Sequence, residues 1–136
     1  MSAVTLRPGR LCGAVEAPPS KSAAHRAILC AALAALSEPG GAESVLSPVS
    51  LSQDIEATIG AARALGVRIA VEGDRCTVSG GALPQGEVQI DCGESGSTLR
   101  FLIPVAAALG VPAAFTGRGP RAARPRGFLK HQRPPH

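Results

Sequence analysis

A chain of 136 residues with 45% hydrophobic content and a mean hydropathy of +0.17 is long enough to bury a core and too apolar for general disorder. Three Phe, with no Tyr or Trp, deny it the stacking platforms on which single-stranded nucleic-acid binders rely. The net charge of +4 belongs to one end: residues 1–115 hold eight Lys/Arg and all ten Asp/Glu, while 116–136 hold six basic residues and no acid.

Val4–Leu6 and Leu11–Ala17 read as short β segments separated by "RPGR", and Pro18-Pro19 stops any strand there. The alanine-rich stretch that follows reads as a helix with an apolar stripe of Leu29, Ala32, Leu33 and Leu36, ended by Pro39-Gly40-Gly41. A short strand is expected near Ser44–Leu46. A second helix is expected from about Ser52, with Asp54 and Glu56 in its first turn, a stripe of Ile55, Ile59 and Ala62, and Gly66 just past its end. Val67, Ile69 and Val71 alternate with Arg68, Ala70 and Glu72. "EGDR" then reads as a turn and Cys76–Val78 as the returning strand of a hairpin. Val88–Cys92 is a further strand, running into a helix capped by Ser97 or Thr98 and reaching Leu109, with a kink or late start expected at Pro104. "ALGV" closes both of these helices, which suggests a repeated helix-to-strand unit, and "AAFT" at 113–116 is the next strand. Cys12, Cys30, Cys76 and Cys92 are widely spaced without C-x-x-C, so they read as buried free thiols of a reducing cytoplasm and not as a metal or redox site. No stretch reads as a leader or a membrane span, and a cytoplasmic location is the expectation.

The first helix carries an anomaly. Helix N-termini bear partial positive charge and normally gather acids, yet this one opens with Lys21, His25 and Arg26 and has no acid before Glu38. Lys21 and His25 are four apart, as are Ser22 and Arg26, so their polar ends converge near the helix's unpaired N–H groups. A bound phosphate or carboxylate resolves the conflict, and a solvated, exposed helix end is the plainer alternative. His25 alone is better read as a packing residue. "DCGESGSTLR", Asp91 to Arg100, is a second strand–glycine–helix junction of the kind that lets backbone amides approach a ligand. It matches neither the P-loop nor the dinucleotide fingerprint.

Taken together, "PPSKSAAHRAILCAALA", "SQDIEATIGAARALGV" and "DCGESGSTLRFLIPVAAALG", in this order and spacing, resemble the N-terminal part of the 5-enolpyruvylshikimate-3-phosphate (EPSP) synthase family, 3-phosphoshikimate 1-carboxyvinyltransferases, from about Leu6 to Arg124 or Pro125. The resemblance implies an inside-out α/β barrel of βαβαββ units, present here in part. Residues 1–17 would belong to the family's other domain, 18–125 to a partial enolpyruvyl transferase domain, and 126–136 to a basic tail. It also implies transfer of the enolpyruvyl group of phosphoenolpyruvate to shikimate 3-phosphate without metal or organic cofactor, by an enzyme monomeric at full length, with no nucleic-acid or membrane partner. By the same resemblance Lys21 would touch both substrates, Ser22 and Arg26 would hold shikimate 3-phosphate, Gly96 would present backbone to phosphoenolpyruvate, Arg124 would bind phosphoenolpyruvate, and Arg100 would support the site.

Two departures qualify these transfers. Pro120 stands where the family pattern has the first arginine of its G-x-x-R-x-x-x-R-P segment, and "RGFLKHQRPPH" after Pro125 carries no family pattern. The family's proton-transfer carboxylates and lysines come from segments after residue 136, so no catalytic acid or base is assigned within this chain and the 136-residue polypeptide is expected to be inactive alone. The tail, with Phe128 and Leu129 as its only bulky apolar residues, is expected to be disordered, and a shifted reading frame or premature end is one explanation of its composition. The competing readings are a non-catalytic anion-binding or interaction fragment and a basic-tailed nucleic-acid binder, the latter recognisable by steep salt dependence.

Overall fold

The computed structural model describes residues 4–5, 8–10, 12–37 and 42–118. The order of elements is α1 (Lys21–Ser37), β1 (Ser44–Leu46), α2 (Gln53–Ala64), β2 (Arg68–Glu72), β3 (Arg75–Ser79), β4 (Val88–Asp91), α3 (Gly96–Ala108) and β5 (Ala113–Thr116). Sequence patterning anticipates each of them to within a residue or two at most ends. It fails before α1: no strand forms among the described residues of 4–17, and Val4 and Val15 are exposed. A strand needs a neighbour to pair its N–H and C=O groups, and none of the described strands lies beside this segment.

β1, β3 and β2 form an antiparallel sheet in that order, with Glu72 opposite Arg75 across a two-residue turn whose Gly73 has φ +60°. β4 and β5 form a separate parallel pair, Val88 opposite Ala113. Parallel strands need a crossover, and α3 supplies it. The described residues thus make a mixed α/β arrangement of three helices and two small sheets, without a barrel.

The core has two parts that share α2. Ile55, Ile59 and Ala62 face Ile28, Ala32 and Ala35 of α1 together with Ile69, Cys76 and Val78 of the antiparallel sheet. Ala61 and Leu65 face Leu29, Leu99, Leu102, Ala106 and Ile90. α1 is therefore turned from its expected orientation. Its buried face is His25, Ile28, Leu29, Ala31, Ala32 and Ala35, and Leu33 and Leu36 are only half-buried. Small alanines lie innermost because two neighbouring elements press close on that face.

The "ALGV" repeat is a repeated helix ending. Val67 donates its N–H to Ala62 O (3.3 Å) and Gly66 to Arg63 O (2.9 Å); Val111 donates to Ala106 O (3.0 Å) and Gly110 to Ala107 O (3.1 Å). Both are Schellman closures, which require a left-handed residue, and Gly66 and Gly110 have φ +95° and +68°. α3 starts earlier than expected: Ser95, not Ser97 or Thr98, is its cap, accepting the Thr98 N–H. The helix runs through Pro104, which lies on the exposed face where water can pair with the carbonyl that proline leaves without a donor. Cys76 and Cys92 are buried, while Cys12 and Cys30 are exposed, so only two of the four thiols are core residues. Burial pushes the Cys76 thiol above its ordinary pKa, against a smaller opposing effect of Arg63.

Candidate functional site where three helix starts meet

Ser20 caps α1: its hydroxyl accepts the Ala23 N–H (3.3 Å) and its carbonyl the Ala24 N–H (3.0 Å). No acid stands in the first turn. The counter-charge comes from another element, since Lys21 Nζ lies 2.7 Å from Asp54 Oδ2 in the first turn of α2. This pair is partly solvated, with side chains 54% and 33% exposed, so it positions the ammonium without neutralising the whole cluster. Ser22 and Arg26 are exposed, and their side chains make no hydrogen bond or ion pair among the described residues.

Asp54 also reaches α3. Its backbone carbonyl accepts from the Thr58 hydroxyl (3.2 Å) and lies 3.3 Å from the Thr98 hydroxyl. Lys21 opens α1, Asp54 is the second residue of α2 and Thr98 the third of α3, so three helix N-termini come together around one residue. A helix start carries partial positive charge, which favours an anion nearby. Ser22 and Arg26 lie at the same end, on the first turn and a half of α1.

Beneath this end is a buried polar chain. His25 Nδ1 is 2.7 Å from Thr58 Oγ1, which is 2.7 Å from Thr98 Oγ1, which is 2.7 Å from Ser95 Oγ. His25 is therefore a core residue, and the edge of its ring meets Phe101 of α3. Burial pulls its imidazole below the ordinary pKa; Asp54 opposes that shift and Lys21 adds to it.

The glycine-bearing junction is held by main-chain bonds. Gly93, with φ +53°, donates its N–H to Asp91 Oδ1 (2.8 Å), Ser95 donates to Cys92 O (2.9 Å), and Arg118 donates its main-chain N–H to Gly93 O (2.7 Å). Gly96 is half-buried at the start of α3. Arg100, one turn on, folds its Nε back to the Gly96 carbonyl at 3.2 Å, which braces this turn from outside. A groove of about 420 Å³ between this junction and α2 is lined by Glu56, Asp91, Glu94 and Arg118 among others. Three carboxylates there face one guanidinium that is already paired with Asp91, so the groove does not suit an anion. Arg124 lies outside the described residues, as do the proposed tail 126–136 and Pro120.

Asp54 and Thr58 are the site residues that sequence reading misses. Asp54 has the ordinary look of a first-turn acid. The signal that could have exposed it was the absence of any acid near Lys21 in α1, which meant that a counter-ion had to arrive from elsewhere.

A family model for EPSP synthase (3-phosphoshikimate 1-carboxyvinyltransferase) matches residues 6–130. The chain belongs to the EPSP synthase family. Among its relatives are the 3-phosphoshikimate 1-carboxyvinyltransferases of Clostridium perfringens strain SM101, 43% identical over 127 residues, and Clostridium beijerinckii, 42% identical over 133 residues. Each comparison covers 92% of this chain but only 28% and 29% of the relative. The solved EPSP synthase from Acinetobacter baumannii superposes with a TM-score of 0.60 at 25% identity, over 79% of this chain and 24% of that one. This EPSP synthase family member thus spans under a third of the length of the curated relatives it matches. Among its described residues no helix is long and apolar enough to cross a membrane.

Proposed function

We propose that this chain carries part of the substrate site for transfer of the enolpyruvyl group from phosphoenolpyruvate to the 5-hydroxyl of shikimate 3-phosphate, in chorismate and aromatic amino acid biosynthesis. In that reaction the 5-hydroxyl oxygen gives up its proton and adds to C2 of the enol phosphate, while the C3 methylene takes a proton to become a methyl group. A methyl proton is then withdrawn as phosphate leaves C2, which restores the double bond. Lys21 contacts both anionic substrates, Ser22 and Arg26 hold shikimate 3-phosphate, and Gly96 offers its backbone to phosphoenolpyruvate. Arg100 holds the Gly96 turn, and Arg124 is assigned to phosphoenolpyruvate. Residues 1–17 belong with a second domain and 18–125 with a partial enolpyruvyl transferase domain, whose inside-out barrel needs more βαβαββ units than are described here. The proposal includes no metal or organic cofactor, a cytoplasmic setting and a monomeric full-length protein.

The observation that carries this reading is the meeting of three helix starts around Asp54, the partner of Lys21, with Ser22 and Arg26 exposed at the same end of α1. It supports an anion site more than a solvated helix end, because a merely solvated end has no need of two further N-termini. Titrating shikimate 3-phosphate into the labelled chain should move the amide signals of Ser20–Arg26; unchanged signals there would overturn the reading. The binding is expected to be weak, since none of the described residues closes over the site to exclude water.

Asp54, the carboxylate beside Lys21, is committed to that lysine, and Glu56, Asp91 and Glu94 line the separate groove with Arg118. The 136-residue polypeptide alone is therefore expected to bind without turnover. Product formation from both substrates by the purified chain would contradict that, and binding without turnover fits equally the alternative of a non-catalytic anion-binding fragment. Adding the remainder of the family enzyme in trans separates the two, since only a partial active site gains activity.

A further inference from the structure

The hydrogen-bonded series His25–Thr58–Thr98–Ser95 takes no direct part in the site proposed above, yet it comprises the buried polar residues among those described. The four residues are 3%, 0%, 0% and 4% exposed, and successive polar atoms are each 2.7 Å apart. No buried side-chain polar atom among the described residues lacks a partner. The chain runs across the fold: His25 is in α1, Thr58 in α2, Thr98 in α3, and Ser95 caps α3 directly before Gly96. The hydroxyls of Thr58 and Thr98 close on the main-chain carbonyl of Asp54, whose side chain holds Lys21.

We propose that Thr58 is a positioning residue: its hydroxyl ties the start of α1 to the start of α3, and so sets where Lys21, Ser22 and Arg26 stand relative to the Gly96 backbone. The physical case rests on direction and on burial. Apolar contacts between helices tolerate sliding, whereas a chain of short hydrogen bonds in a dry interior is specific in distance and angle, and losing one member leaves its neighbours unsatisfied. Thr58 is the only residue of the chain that bonds to both flanking helices, through His25 on one side and Thr98 on the other. A core needing only volume at this place would be served by valine, which has the same shape. An anion held jointly by two helix starts demands that their separation be held to a fraction of an ångström, which packing alone does not secure.

This inference rests on the anion-site reading for its consequence, but its mechanical part is measurable without ligand. In the ¹⁵N-labelled 136-residue chain, Thr58→Val should shift the His25 ring nitrogen signals together with the amides of Ser20–His25 and Gly96–Leu99, and Thr58→Ser should leave all of them near their original positions. Changes confined to α2 in a folded Thr58→Val chain would overturn the tie. With inorganic phosphate as the probe, Thr58→Val should weaken the response at Ser20–Arg26 by about three- to tenfold, the equivalent of one net hydrogen bond, and Thr58→Ser should restore it. Unaltered phosphate affinity in the folded valine variant would show Thr58 to be structural only, against the proposal. A wild-type chain that ignores phosphate sinks the anion-site reading, and the tie then stands or falls on the ligand-free spectra. Should Thr58→Val fail to fold, Thr58→Cys, which keeps a side chain of similar volume with a much weaker hydrogen-bonding group, takes its place in both measurements with the same criteria.

Discussion

Lys21 illustrates how a single residue can look unfavourable in its own element and be sound in the fold. A cation at a helix N-terminus opposes the helix dipole, but Asp54 at 2.7 Å offsets the penalty while leaving the ammonium more than half exposed. Lys21→Met should therefore change stability by no more than about 1 kcal/mol, the range of solvated ion pairs, while abolishing the phosphate response at the α1 start. Urea unfolding and a phosphate titration on the same sample check both halves; a large loss of stability would mean the pair is structural. His25 gives the pH dependence. Burial holds its folded pKa below the ordinary imidazole value of about 6.5, so the unfolded chain binds a proton first as pH falls. Its contribution is constant above that value and declines from about pH 6.5 downward, until the lower folded pKa is also passed. The urea midpoint of the wild type should fall more steeply between pH 7 and 5 than that of His25→Gln, and parallel curves would refute the assignment.

At the level of elements, the two identical helix endings differ in what surrounds them, and that difference is testable. Gly66 and Gly110 both take left-handed conformations, which cost an L-residue roughly 1–2 kcal/mol. A Cβ on Gly110 would meet nothing within 4 Å, whereas one on Gly66 would stand 1.9 Å from the Ala82 carbonyl oxygen. Gly81 has the reciprocal problem, 1.6 Å from the Gly66 carbonyl oxygen. The end of α2 and the segment after β3 therefore touch backbone to backbone. Gly110→Ala should cost only the conformational penalty, and Gly66→Ala and Gly81→Ala clearly more; equal thermal shifts for Gly66→Ala and Gly110→Ala would disprove the close contact.

For the whole molecule the decisive feature is that α2 serves both halves of the core. Ile55, fully buried near the start of α2, packs toward α1 and the antiparallel sheet, while Leu65, which caps the other end of the same helix, packs toward α3 and β4. Ile55→Ala should cost about 2–5 kcal/mol through lost burial and the cavity left behind. Because the two clusters meet on one helix, the loss should appear as a single transition at a lower midpoint. Two separate transitions, followed by hydrogen exchange at β3 and β4, would show that the halves unfold independently.

Element positions were legible in the sequence because they follow from local rules. Ser52 before Gln53, glycines in "ALGV", alternation over 67–71 and a glycine turn at 73 act within a few residues of where they are read. The cationic start of α1 was legible for the same reason, as was its likeness to the EPSP synthase family, since both lie in contiguous stretches. What surrounds those residues was not. The face that α1 buries, the counter-ion of Lys21 and the partners of His25 and Thr98 depend on side chains 33 to 44 positions away, which only meet when helices pack. No strand forms over the described residues 12–17 on the same ground, because strand formation depends on a partner edge that alternation within the segment does not supply. Local sequence determined where this chain turns and caps; the packing of α1 and α3 against α2 decided that Lys21 is paired and that His25 is buried, because their partners lie on another helix.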